Sequence, residues 1–138
     1  MTRHHMFNPA GLPEAKGFSY GAIAASGRAL YVSGVTAERP DGSFPEGIVA
    51  QFAEACRRVA LIIREGGGAP TDLVSMTIYT PVVAEYKENL AGIGAAYREV
   101  FGRHYPPIAL LGVAELFEKE ALVELVCTAV VPEGQSPG

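Results

Sequence analysis

Apolar residues change their spacing several times along the chain. Between Phe18 and Val35 they form two short runs, FSYGAIAAS and ALYVSGV, parted by Gly27-Arg28. Two such runs across a Gly-containing dipeptide predict a β-hairpin. The next stretch, TAERPDGSFPEG, holds the Pro, Asp and Gly residues that favour turns and predicts a loop. From Gly47 the interval becomes three or four. Ile48, Phe52, Cys56, Val59 and Ile63 recur on one stripe while Arg57, Arg58 and Arg64 lie off it. This is the pattern of an amphipathic helix, ended by three glycines at 66–68. DLVSMTIYT then predicts a strand stopped at Pro81. Tyr86, Leu90, Ile93, Tyr97, Val100 and Phe101 make the stripe of a second helix over about residues 83–101. Gly92 and Gly94 weaken that helix by about 1 kcal/mol each relative to Ala. Two closing strands are expected at 108–114 and 121–131.

The order β-β-α-β-α-β-β places two helices on one face of a sheet. The last strand, however, is apolar on both sides. Ala121, Val123, Leu125, Cys127 and Ala129 share one face; Leu122, Val126 and Val130 share the other. Two helices cover only the first. An exposed apolar sheet face marks an interface, so the pattern predicts a symmetric oligomer closed around its sheets.

Composition narrows the class. The 138 residues fit one domain, expected over 1–138 with an irregular lead-in at 1–12 and a flexible tail at 132–138. At 49% hydrophobic and 19% charged, the chain is globular and not disordered. No apolar run approaches the ~20 residues of a membrane span, and the opening MTRHHMFNPAGLP lacks the apolar core of a signal peptide. A cytoplasmic protein with no membrane partner is the expectation. Cys56 and Cys127 then read as buried thiols and not as a disulfide. The net charge of −4, with no basic cluster longer than Arg57-Arg58, argues against nucleic acid as a partner.

Few residues suggest chemistry. Glu124 sits within the last apolar run, on the face of Leu122, Val126, Thr128 and Val130. A carboxylate placed there is desolvated unless it is paired, and such a group can exchange protons with a water or substrate near neutral pH. The structural alternative puts it near an edge, meeting solvent or a lysine. Tyr20 and Ser33 are hydroxyl donors on the predicted hairpin, where taken in isolation a structural role is the first reading for both. No neighbouring His and Asp supports a serine-hydrolase triad. His4 and His5 fall in a terminus expected to be mobile, and His104 in the loop GRHYPP beside Arg103, where a solvated side chain is expected. No HExxH or CxxC pattern suggests a metal, and the glycines at 66–68 follow no strand, so they make no dinucleotide fingerprint.

Taken in order, NPAGLP…GFSYGAIAASGRALYVSG, QFAEACRRVALIIREGGGAPTDLVSMTIYT, AAYREVFGRHYPP and ALVELVCTAV resemble the RidA/YjgF proteins, the family also labelled endoribonuclease L-PSP. The resemblance covers nearly the whole chain. It implies an α+β, chorismate-mutase-like fold with a mixed six-stranded sheet, two helices on one face, and a homotrimeric barrel of sheets. It also implies three ligand clefts between subunits, hydrolysis of reactive imino or enamino acids to keto acids and ammonia, and no metal or organic cofactor. The family's site residues fall on Tyr20, Ser33 and Glu124, the last as the residue that positions water. Active deaminases carry a carboxylate-clamping arginine two residues after the proline matched by Pro107; here that position is Ala109. Such a bond is worth about 1.5–3 kcal/mol, and Ala supplies none of it. Ala109 and Leu111 are therefore expected at the substrate wall, with Arg103 or His104 as candidates to return a positive charge from the loop. The stretch EYKENLAGIGAAYREVF is about four residues longer than in common members, close to one helical turn.

The resulting expectation is a trimeric cleft protein that hydrolytically deaminates a small imine, enamine or related carbonyl compound. It would lack the general activity on 2-imino acids. A non-catalytic metabolite-binding or regulatory trimer is the alternative. Ribonuclease action, which the family label suggests, fits poorly with the acidic charge.

Overall fold

The structure, a computed structural model, describes residues 1–134; the part of the expected tail at 135–138 lies outside the described residues. Six strands and three helices follow in the order β1 (His5–Phe7), β2 (Gly21–Ile23), β3 (Arg28–Val35), α1 (Ile48–Glu65), β4 (Leu73–Thr80), α2 (Val83–Glu88), α3 (Leu90–Phe101), β5 (Ile108–Gly112) and β6 (Glu124–Val131). The main sheet has the order β3-β6-β4-β5. β6 is antiparallel to both of its neighbours, and β5 runs parallel to β4 at the edge. The fold is thus α+β with a mixed sheet, as expected. Its six strands do not form one sheet, however: β1 and β2 form a separate two-stranded ribbon.

That ribbon corrects two expectations. The run before Gly27 pairs with residues 5–7 and not with β3, so the hairpin is absent and the lead-in contains a strand. The cause lies in contacts that no local pattern reveals. Gly21 leaves room for the ring of Phe7, which a β-carbon there would strike. His4 is buried, not mobile. Its Nδ1 accepts the Ala25 N–H at 2.9 Å, so its Nε2 carries the proton, lying 3.1 Å from Asp72 Oδ1 and 3.0 Å from the Val130 carbonyl. Arg3 adds bonds to Asp72 and to the Ser26 and Val130 carbonyls. A local hairpin gives way to these long-range bonds.

The predicted α1 stripe is the buried one: Ile48, Phe52, Cys56, Val59 and Ile63 all face the sheet. The second predicted helix breaks at Asn89, which ends α2 and begins α3 with φ −114° and ψ 21°. Its side-chain amide donates to the Glu85 carbonyl at 2.8 Å, and its own carbonyl accepts the Ile93 N–H. Ile93, Tyr97 and Phe101 carry the buried face of α3, while Leu90 points outward.

One core lies between the helices and the sheet. Leu125, Cys127 and Ala129 of β6, Met76 and Ile78 of β4, and Val32 of β3 meet α1 and α3 there. Each fully buried aliphatic side chain contributes about 1.5–3 kcal/mol. Cys56 and Cys127 are buried free thiols in this layer. Burial pushes the Cys127 thiol up to about 12 and lifts Cys56 well above the ordinary thiol range. The opposite sheet face carries Ala29 and Tyr31, Ser75, Thr77 and Tyr79, Ala109 and Leu111, and Glu124, Val126, Thr128 and Val130. Among the described residues, no helix covers it. Tyr31 is 81% exposed and Leu111 46%. Among the described residues no helix is long and apolar enough to cross a membrane.

Candidate functional site

Glu124 is the first residue of β6, and its carboxylate lies on the uncovered face. Backbone register sets its neighbours. Glu124 pairs with Tyr79 of β4, and Tyr79 pairs with Leu111 of β5. The row below runs from Val126 through Thr77 to Ala109. Ala109 is thus two strands from β6, about 10 Å across the sheet. On the other side of β6 the register slips. Val32 faces Cys127 and Val35 faces Leu125, so Ser33 and Gly34 together occupy the place opposite Val126. This is a β-bulge, a device that re-aims side chains beside functional sites. The Glu124 carboxylate lies over Gly34 so closely that a β-carbon there would overlap its Oε2.

Two buried polar side chains fix where β6 begins. Gln51 of α1 accepts the Leu122 N–H at 2.8 Å and donates to the Pro45 and Glu120 carbonyls, both at 3.1 Å. Thr80, at the end of β4, donates to the Leu122 carbonyl at 2.7 Å. Both backbone groups of Leu122 are thereby held, two residues before Glu124. On the bulge side, Arg58 donates to the carbonyls of Thr36 and Glu38 and to Glu54. It ties the segment after β3 to α1. The two arginine bonds hold the Glu54 carboxyl below the usual carboxylate range, against its own partial burial.

Among the described residues, no hydrogen bond or ion pair occupies the Glu124 carboxylate. It is half-buried in the single chain, flanked by Tyr79 and the bulge. Ser33 is exposed in that bulge, and its hydroxyl is likewise free of a partner among the described residues. The arrangement offers an acceptor for a water proton, a nearby hydroxyl and an apolar wall at Val126 and Leu111. At position 109 it offers a methyl group.

The structure brings Ser33, Glu124, Ala109 and Leu111 onto one face, but it does not bring the other expected residues there within one chain. The Tyr20 hydroxyl donates to the Pro13 carbonyl, and its ring packs edge-on against Phe18. The segment is anchored by Ser19, which bonds the Tyr105 and Pro106 carbonyls ahead of β5. His104 is buried and not solvated. Its Nε2–H donates to the Leu73 carbonyl at 2.7 Å, and its own carbonyl accepts the Tyr97 hydroxyl. Leu73 is six residues along β4 from Tyr79, or about 20 Å. Neither His104 nor the exposed Arg103 beside it returns a charge to Glu124 of the same chain. Tyr79, Gln51 and Thr80 escape sequence reasoning because strand register and a tertiary contact give them their places. The signal for Gln51 was its position next to Phe52 on the buried side of α1. Among the described residues, no group of three His, Cys, Asp or Glu is placed to hold a metal ion.

Comparison with known proteins identifies the family and the fold. The family model described as endoribonuclease L-PSP matches residues 11–131. A Rid-family protein of unknown function from Yersinia pestis is similar over 94% of this chain and 100% of its own, at 26% identity and a TM-score of 0.81. A protein from Entamoeba histolytica, described as a putative endoribonuclease L-PSP, matches over the same shares at 26% identity and a TM-score of 0.65. RidA from an Antarctic Psychrobacter shares the fold at 20% identity, covering 92% of this chain and 99% of its own, with a TM-score of 0.66. Among curated proteins, none matches significantly. A family match over most of the chain, with the same fold throughout, places it in the endoribonuclease L-PSP family, the Rid/YjgF proteins.

Proposed function

We propose that this chain works as a homotrimeric cleft enzyme that hydrolyses a small imine, enamine or related carbonyl compound, without the general 2-imino-acid activity of arginine-bearing relatives. The observation that carries the reading is the Glu124 carboxylate, unoccupied by any described residue and lying over Gly34 on an uncovered sheet face. A neighbouring subunit packed on that face would shut out bulk water and leave the carboxylate to a ligand. Glu124 accepts a proton as water adds to the electrophilic carbon of a C=N bond, giving a carbinolamine. Return of the proton to nitrogen frees the carboxylate to take the carbinol O–H proton as the C–N bond breaks, releasing ammonia and leaving the carbonyl product. An enamine enters the same path after protonation at carbon. Ser33 hydrogen-bonds the leaving nitrogen or a carbonyl oxygen; Tyr20 of an adjoining chain becomes the second donor only by giving up its bond to the Pro13 carbonyl. Ala109 and Leu111 give the cleft a neutral wall, so the substrate class is one that does not depend on a carboxylate.

A non-catalytic metabolite-binding trimer is supported by the same methyl at position 109. Glu124→Gln separates the two readings. An enzyme loses turnover of a neutral enamine by about 10²–10⁴-fold. A binder keeps its affinity within about tenfold, the worth of one hydrogen bond.

A further inference from the structure

On the helix side of β5, away from Glu124, a cavity of about 330 Å³ opens between the lead-in, α2–α3 and the strand. Its volume is at the lower end of the range for small-molecule sites. Ile78 and Ile93 form its floor, and Tyr86 and Tyr105 stand in its walls. Tyr105 is held by stacking on Tyr97, with ring centres 5.7 Å apart and planes 16° from parallel; Tyr86 packs edge-on against Phe52 at 6.4 Å. Neither the Tyr86 nor the Tyr105 hydroxyl has a hydrogen-bond partner among the described residues, and no fully buried side-chain polar atom is left unpaired. Both hydroxyls therefore remain accessible.

Two cations complete the lining. Lys16 comes from the lead-in and Arg98 from α3, whose guanidinium lies back over Gly94. Among the described residues, neither forms an ion pair or a hydrogen bond. In a chain of net charge −4, two unpaired cations on one apolar, hydroxyl-bearing cavity form a local positive site. The lining is assembled from a single chain. Ile78 and Ile108 face it, whereas Tyr79 and Ala109, next to them in sequence, face the other side of the sheet.

We infer that this cavity binds a small monocarboxylate with an aromatic or branched aliphatic body, at a site separate from the Glu124 face. The body lies against Ile78 and Ile93, the carboxylate meets Lys16 and Arg98, and the tyrosine hydroxyls offer further donors. The test is titration of the full-length protein with phenylacetate and, in parallel, with the neutral phenylacetamide, followed by Ile, Leu and Val methyl NMR, in which Leu111 and Val126 report on the Glu124 face. Saturable shifts of the Ile78, Ile93 and Ile108 methyls are expected with phenylacetate, with at least about fivefold weaker binding of the amide. Lys16→Gln with Arg98→Gln together should weaken phenylacetate by about tenfold, two solvent-screened charge contacts. Arg98→Lys should stay within about threefold of the parent. Because both residues are exposed, folding is not at stake in these variants. Absence of saturation, equal binding of the amide, unchanged affinity in the double variant, or shifts confined to the Glu124 face would each overturn the inference.

Discussion

The Glu124 carboxylate and Gly34 share one space: the acid lies where any side chain at position 34 would begin. Gly34 is not among the glycines with positive φ, so its backbone tolerates other residues. The clash is with the free end of a flexible side chain, so Gly34→Ala should push the carboxylate aside at little cost in stability. Turnover should fall by more than the fraction of folded protein lost. Parallel urea unfolding and rate measurements separate the two effects.

Gln51 is the tertiary clamp on the same acid. Replacing it by Leu keeps the bulk but leaves the Leu122 N–H and two carbonyls without their partner. The expected loss is about 1–3 kcal/mol for each group left unsatisfied. The urea midpoint measures it. Reduced turnover in the remaining folded fraction would follow from a looser start of β6.

The helix layer, the buried stripe of α1 and the uncovered face were legible because periodicity reports which side of an element is apolar. Ile48, Phe52, Cys56, Val59 and Ile63 needed no other information. The β1–β2 ribbon was not legible. It depends on His4 and Arg3 reaching Asp72 and Val130, more than sixty residues away. The break at Asn89 was missed because its amide bond to Glu85 competes locally with a continuous helix. Within the site, Glu124 stood out as an acid in an apolar run. Tyr79 and the bulge at Ser33-Gly34 are products of strand register, which no single strand contains.

His104 makes stability depend on pH. Burial lowers its pKa below the ordinary histidine value of 6.5, with the Leu73 carbonyl bond acting in the opposite direction. The neutral ring is the form the fold favours. Its contribution is therefore complete above about pH 6.5 and is lost as pH falls through the lower folded value. Thermal unfolding at pH 7.5 and pH 5 should show a larger drop in the parent than in His104→Asn. Equal drops would remove His104 as a cause.

The uncovered sheet should seat other copies of the chain. Tyr31, 81% exposed, and Val126, 37% exposed, stand on that face in the single chain. Sedimentation should give a trimer for the parent. Tyr31→Glu with Val126→Lys, which put charges onto the proposed interface, should shift it to monomer. A parent that sediments as a monomer would leave the Glu124 face open to water and remove the enclosed cleft.

If a neighbouring subunit shields the Glu124 face, the acid keeps its chemistry although position 109, two strands away, carries a methyl group and no guanidinium. Ammonia release from freshly generated 2-aminoacrylate tests it most directly, comparing the parent, Ala109→Arg and an arginine-bearing family member. The parent should be slow, and Ala109→Arg should gain about 10- to 150-fold, the worth of one charge-assisted bond. A parent as fast as the arginine-bearing protein would contradict the account.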